Sequence, residues 1–116
     1  MYQIYFADHF LRQLKRHLKK YRSLENDCVE TLQHFNLESA QYLGSKLYKL
    51  RLRSSDIPKG KSKSFRLILF LFAVKSVLVP ITIYFKGDRS DILEKEIEYH
   101  LAMVLTDIQR KKFLSR

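Results

Sequence analysis

Apolar residues recur at helical spacing in the first fifth of the chain. Phe10, Leu11, Leu14, Leu18 and Tyr21 fall on one stripe, and Arg12, Lys15, Arg16, Lys19 and Lys20 take the opposite side. That pattern predicts an amphipathic helix, with Asp8 placed to cap it. Residues 2–6 ahead of it read as a short strand. Ser23 is placed to cap a second helix, with Glu25 and Asp27 in its first turn and Cys28, Val29, Leu32 and Phe35 on its buried face. Residues 37–44 read as a connection in which Gly44 serves a turn. The period then changes. From Tyr48 to Arg53, Tyr48, Leu50 and Leu52 alternate with Lys49, Arg51 and Arg53. Side chains on a strand point alternately to its two faces. A strand over 47–53 therefore turns its apolar residues to a core and lines up its cations on the other face, about 7 Å apart.

Residues 54–64 contain Pro58, Gly60 and many polar residues, and they read as a loop. Residues 65–74 are apolar on both faces, as a central covered strand requires. Residues 77–85 form a third strand with Pro80 inside it, where an edge or a bulge is expected because proline gives no ladder hydrogen bond. The whole apolar stretch 65–85 is long enough to suggest a membrane span. Arg66, Lys75-Ser76 and Pro80 interrupt it, and two strands joined at Lys75-Ser76 account for it better. Residues 86–90 read as a turn. Ile92, Leu93, Ile97, Leu101, Val104, Leu105 and Ile108 then recur at helical spacing and predict a long last helix, before a basic tail at 110–116. The order of elements predicts an α+β fold: two N-terminal helices packed on a small antiparallel sheet, then a C-terminal helix.

Composition narrows the function. The chain has 116 residues, a length for one domain over 1–116. Lys plus Arg is 22 and Asp plus Glu is 12, a formal charge of +10. A domain this basic is suited to an anion: nucleic acid first, an acidic protein next, then an anionic membrane surface. The charge is concentrated. Lys46, Lys49, Arg51, Arg53, Lys59, Lys61, Lys63 and Arg66 lie within 21 positions that hold one acid, Asp56. Cys28 stands alone, so no internal disulfide and no cysteine zinc site is expected. No signal peptide is apparent at the start, and a reducing, cytoplasmic setting is consistent with both. His9, His17, His34 and His100 lack metal-ligand spacing and read as surface or packed histidines.

Several segments, in order, resemble the RelE/ParE superfamily of bacterial toxins from toxin–antitoxin pairs. Leu43-Gly44 precedes the basic strand as a Leu-x-Gly does in that family. Tyr48-Lys49-Leu50-Arg51-Leu52-Arg53-Ser54-Ser55 is similar to its basic second strand, and Phe65-Arg66-Leu67-Ile68 to the aromatic-Arg-apolar start of the next. Lys59-Gly60-Lys61-Ser62 is similar to a Gly-Lys-Ser loop of one branch. Ile83-Tyr84-Phe85-Lys86 followed by Asp91-Ile92 resembles that branch's Tyr-x-Lys ending and its entry into the last helix. The resemblance implies a toxin held inactive by a cognate antitoxin, here expected to be acidic. RelE-type members are implied to cut messenger RNA on the ribosome without a metal or other cofactor, whereas ParE-type members bind DNA gyrase. A third reading is a basic RNA- or protein-binding module without activity.

The resemblance carries Lys49, Arg51, Arg53 and Arg66 over as phosphate-binding and catalytic cations. It adds Tyr84 and Lys86 as catalytic candidates. The chain departs from RelE at Gly87 and Leu93, where RelE has an arginine and a tyrosine; Tyr84, Lys86 or Tyr99 would substitute, or the chemistry differs. Metal-free RNA cleavage uses the 2′-hydroxyl as nucleophile. It needs a proton acceptor, donors for the developing charge and a proton source for the leaving oxygen. Arg51 and Arg66 suit the donor task, because a guanidinium fork matches two phosphate oxygens and stays charged. Lys49 serves as a point charge, or as the base if neighbouring cations lower its pKa. Lys59, Lys61 and Lys63, with Arg53, are expected to bind and steer RNA. Each of these groups also fits a plain solvated face or loop. The acidic stretch Asp88, Asp91, Glu94, Glu96 and Glu98 is expected to support the last helix, with Asp91 at its start.

Overall fold

The computed structural model describes residues 2–58 and 64–114. Among them are helices α1 (Asp8–Leu18), α2 (Leu24–Gln33) and α3 (Glu94–Leu114). The strands are β1 (Gln3–Ile4), β2 (Gln41–Gly44), β3 (Leu47–Leu52), β4 (Phe65–Phe72) and β5 (Val77–Phe85). They form one sheet in the order β1-β5-β4-β3-β2. β2 through β5 pair antiparallel, and β1 joins β5 in parallel. The expected α+β architecture is present, with one addition: β2 lies within the stretch expected to be a connection. The strand expected over residues 2–6 is present as β1, and it joins the otherwise antiparallel sheet in parallel.

β2 went unread because its turn lacks the usual marks. It returns into β3 through Ser45 and Lys46, at φ 51° and 65°. A two-residue hairpin loop needs such left-handed residues to match the strand twist, and Asn-Gly or Asp-Gly normally supplies them. Only Gly44, at φ 93°, carries the expected residue type; open space surrounds the position of its missing Cβ, so backbone angle and not room calls for glycine there.

Strand alternation divides the interior in two. Leu50, Leu52, Phe65, Leu67, Leu69 and Leu71 point to one face, where Phe10, Leu14, Leu24, Cys28 and Leu32 of α1 and α2 cover them. Burying one such leucine contributes roughly 2 kcal/mol. On the opposite face Val79 and Ile81 meet Ala7 and Val104, with Leu47, Phe70, Leu101 and Ile108 packed around them. α3 thus covers one end of the second face and leaves the other end to the cations. The β4–β5 register shifts between Ile68 and Leu69, opposite Thr82 and Pro80. This is the irregularity Pro80 led one to expect. Pairing with β1 reaches only Leu78, so the ladder makes no demand on Pro80 from that side.

The caps differ from expectation. Ala7, fully buried in the second core, occupies the cap position of α1; Asp8 is its first residue and pairs with Lys111 of α3 at 3.7 Å. Ser23 precedes α2 without a side-chain cap bond. Its amide donates to Asp56 Oδ2 at 2.8 Å, and Asp27 accepts from the Ser55 amide at 2.8 Å. Those two acids therefore stitch the segment after β3 onto α2. The Cys28 thiol is buried, and burial first, then Glu25 and Asp27, push its pKa up to about 12, so it stays a protonated core residue. Among the described residues no helix is long and apolar enough to cross a membrane.

Candidate functional site

Register places the predicted cations. Arg51 of β3 lies opposite Arg66 of β4, and Arg66 lies opposite Tyr84 of β5. Paired residues on neighbouring strands point to the same side, with strands about 4.8 Å apart. One rung of the sheet therefore presents two guanidiniums and a phenol. Lys49, two residues before Arg51, adds an ammonium to the same face and pairs in register with Ile68. Of the residues proposed from sequence, Lys49, Arg51, Arg66 and Tyr84 are brought together on this face.

Like charges directly opposite each other on a sheet repel. Here one hydroxyl stands between them. Ser64 Oγ accepts from Arg51 Nε at 3.2 Å and from Arg66 Nη1 at 2.5 Å. Arg66 Nη1 also donates to the Phe65 carbonyl at 3.2 Å. Ser64 itself is buried, and its carbonyl accepts from the Lys86 amide at 2.8 Å. The two forks are thus oriented by a fixed oxygen, and the ligand this geometry favours is an anion that bridges them.

The second half of the site comes from the segment between β5 and α3. Lys49 Nζ pairs with Asp91 Oδ1 at 2.8 Å, with the lysine side chain 18% exposed and the aspartate 66%. Tyr84 OH donates to the same oxygen at 3.4 Å, and the Ile92 amide does so at 2.8 Å. Arg89 donates from Nε to the Asp91 carbonyl at 2.8 Å. Its other nitrogens bind the Glu96 carboxylate at 2.8 and 2.6 Å. Its Cζ sits 5.9 Å from the centre of the Tyr84 ring.

These contacts set the ionisation states. The Asp91 hydrogen bond raises the Lys49 pKa and outweighs its burial. Crowding by neighbouring cations was expected to lower it. The nearby carboxylate wins because it is in direct contact, and while that contact lasts it favours the charged ammonium. Burial raises the Tyr84 pKa, which keeps the phenol protonated as a hydrogen-bond donor. The Asp91 carboxyl is held below its ordinary value, by Lys49 first and the Ile92 amide second.

Other proposed residues go elsewhere. Lys86 donates to the Ser90 carbonyl at 2.8 Å and holds the turn. Arg53 is exposed just beyond β3. Lys59, Lys61 and Lys63 lie outside the described residues. Tyr99 packs edge-on against His9 and His100, with ring centres 5.9 and 5.2 Å apart, on the seam between α1 and α3. Gly87 is constrained: a Cβ there would fall 2.1 Å from the Phe85 ring. Leu93 is 67% exposed.

Sequence reasoning missed Ser64 and Arg89 and gave Asp91 only a helix-start role. Serine ahead of a strand carries no signal by itself. The Arg89–Glu96 spacing of seven residues crosses a turn and the start of a helix, so no helical pairing rule exposes it.

No protein-family model and no curated protein matches the sequence. Among solved structures the chain is similar to one in the intact E. coli RelBE toxin–antitoxin complex. The TM-score is 0.48 with 24% identity, over 72% of this chain and 94% of that one. It is also similar to E. coli toxin RelE, a double mutant in the free state. There the TM-score is again 0.48, with 22% identity over 94% of this chain and 96% of the other.

Proposed function

We propose that this chain is the toxin of a toxin–antitoxin pair and that it cuts messenger RNA on the ribosome, in the cytoplasm, through its own side chains. The observation that carries the reading is the rung Arg51–Arg66–Tyr84 with Lys49 beside it. The ordered RelE-like segments supply the reaction class, and the net charge of +10 supplies the affinity for RNA. The same charge suits an acidic antitoxin.

In this reading Arg51 and Arg66 grip the nonbridging oxygens of the scissile phosphodiester. Lys49 adds positive charge where the pentacoordinate phosphorus gathers negative charge. The 2′-hydroxyl of the upstream ribose attacks phosphorus and gives its proton to solvent water, the bond to the 5′-oxygen breaks, and a 2′,3′-cyclic phosphate and a 5′-hydroxyl result. Tyr84, opposite Arg66 on the rung and kept protonated by burial, supplies the leaving oxygen's proton and regains one from solvent.

The test is induced expression of the chain and of an Arg51→Ala, Arg66→Ala double variant, with transcript ends mapped on translating ribosomes. Growth arrest with transcript cleavage in the unaltered chain, and loss of both in the double variant, is the expected result. Cleavage that survives the double change would overturn the reading. Arrest with intact transcripts and an induced DNA-damage response would replace it with gyrase inhibition.

A further inference from the structure

Asp91 Oδ1 receives donors of three kinds: the Lys49 ammonium, the Tyr84 phenol and the Ile92 amide. Convergent cationic and neutral donors on a single anionic oxygen are what a nonbridging phosphate oxygen meets in a phosphate site. We propose that Asp91 is an internal occupant of this site, an autoinhibitory carboxylate seated where an RNA phosphate oxygen binds and displaced by RNA on binding. The proposal rests on the reading of the Lys49–Arg51–Arg66–Tyr84 face as a phosphodiester site.

Arg89 shows how the carboxylate is delivered. It holds the Asp91 carbonyl with Nε and the Glu96 carboxylate with its remaining nitrogens. One guanidinium thus fixes the backbone at Asp91 relative to the first turn of α3. The arrangement is also reversible. The Asp91 side chain is 66% exposed, so rotation about its own side-chain bonds frees Lys49 without moving a strand. A carboxylate and a phosphodiester each carry one negative charge, so the exchange leaves the charge on the site unchanged. The balance is then set by donor count. Asp91 engages Lys49, Tyr84 and the neutral Ile92 amide, whereas a phosphodiester bound across the rung engages Lys49 and Tyr84 with two further cations, Arg51 and Arg66. A weakly held anion is excluded, and RNA able to reach both guanidiniums is admitted.

The experiment titrates a short fluorescein-labelled single-stranded RNA into the full chain at fixed ionic strength and reads anisotropy. Asp91→Asn keeps the shape and removes the competing charge. It should tighten RNA binding by about three- to fivefold, the size of one part-exposed ion pair. Glu94→Gln removes an equal charge nearby in sequence without a contact to Lys49, and it should change affinity by less than about twofold through screened long-range attraction. An Asp91→Asn effect no larger than that of Glu94→Gln, or a loss of affinity, would overturn the autoinhibitory role. Arg51→Ala with Arg66→Ala separates the two levels. If RNA binding ignores that pair, the phosphate site itself falls and the plug with it. If binding depends on the pair while Asp91→Asn gains nothing, only the plug falls. On the unaltered chain, carboxyl-carbon NMR gives a second readout. RNA should return the Asp91 titration toward the ordinary carboxylate range, and an Asp91 signal indifferent to saturating RNA would count against displacement.

Discussion

On one face of the sheet, Leu50, Leu52, Leu67 and Leu69 pack against Phe10, Leu14, Leu24 and Leu32. On the other face of the same strands, the intervening Lys49, Arg51, Arg66 and Tyr84 meet polar groups: Ser64, Asp91 and the segment that Arg89 organises. The first face is a dry core whose residues are interchangeable in kind, since any apolar side chain of the right volume serves. The second depends on which charged atom stands next to which, and a one-residue slip in register would send its cations into the core. Stability therefore resides in the first set and the proposed binding chemistry in the second, and the two should respond separately to mutation.

The largest effect is expected in the core. Leu67→Ala should lower unfolding stability by about 3 kcal/mol in a denaturant titration, through lost burial and a cavity. A loss below about 1 kcal/mol would mean that this face is less tightly packed than its full burial indicates. Next comes the charged face. Arg51→Ala should reduce transcript cleavage by about a hundredfold or more, while stability stays within about 0.5 kcal/mol of the parent because the residue is exposed. Comparable losses of stability and cleavage would dissolve the division between faces. Gly87→Ala tests the turn below the rung. The new methyl would meet the Phe85 ring, which is packed on Phe65 and Tyr21, so a loss of about 1–3 kcal/mol is expected by thermal or chemical unfolding.

The smallest effect concerns the seam between α1 and α3. His9 Nε2 lies 2.8 Å from His100 Nδ1, which requires at least one ring to be neutral. Burial lowers both pKa values below the ordinary 6.5; Arg12 and Arg16 push in the same direction at His9, and His9 and Arg16 at His100. Asp107 and Glu96 oppose them. The unfolded chain therefore takes up protons first as pH falls through about 6.5, so the folded state loses stability on acidification. The thermal midpoint should drop from neutral pH to about pH 5, and less so in His100→Gln. An equal drop in that variant would place the sensitivity elsewhere.

Much of the fold was legible because it depends on local periodicity. The stripe Phe10, Leu14 and the alternation of residues 48–53 predicted α1 and β3, and Pro80 predicted an irregular β5. β2 and the partner of β1 were harder. β2 turns on Ser45 and Lys46, residue types that carry no hairpin signal, and the parallel pairing of β1 with β5 joins residues more than seventy positions apart. Within the site the cations could be read, and their partners could not. Gln13 illustrates the same limit. It sits on α1 as one polar residue among many, yet it is buried, accepting from Thr82 Oγ1 at 2.6 Å and donating to the Ile81 carbonyl at 3.0 Å beside the β5 irregularity.

Side-chain order along each strand and helix settled which residues share a face, because backbone geometry imposes periods of two and 3.6 whatever the surroundings. It also settled that one face of β3 would be cationic. The fold alone decided that Arg51, Arg66 and Tyr84 form a single rung, that Ser64 lies between the guanidiniums, and that Asp91 reaches Lys49 across forty-two positions of chain. Those meetings depend on strand register and on where α3 begins. Both are set by packing between distant segments, which no local pattern of residues encodes.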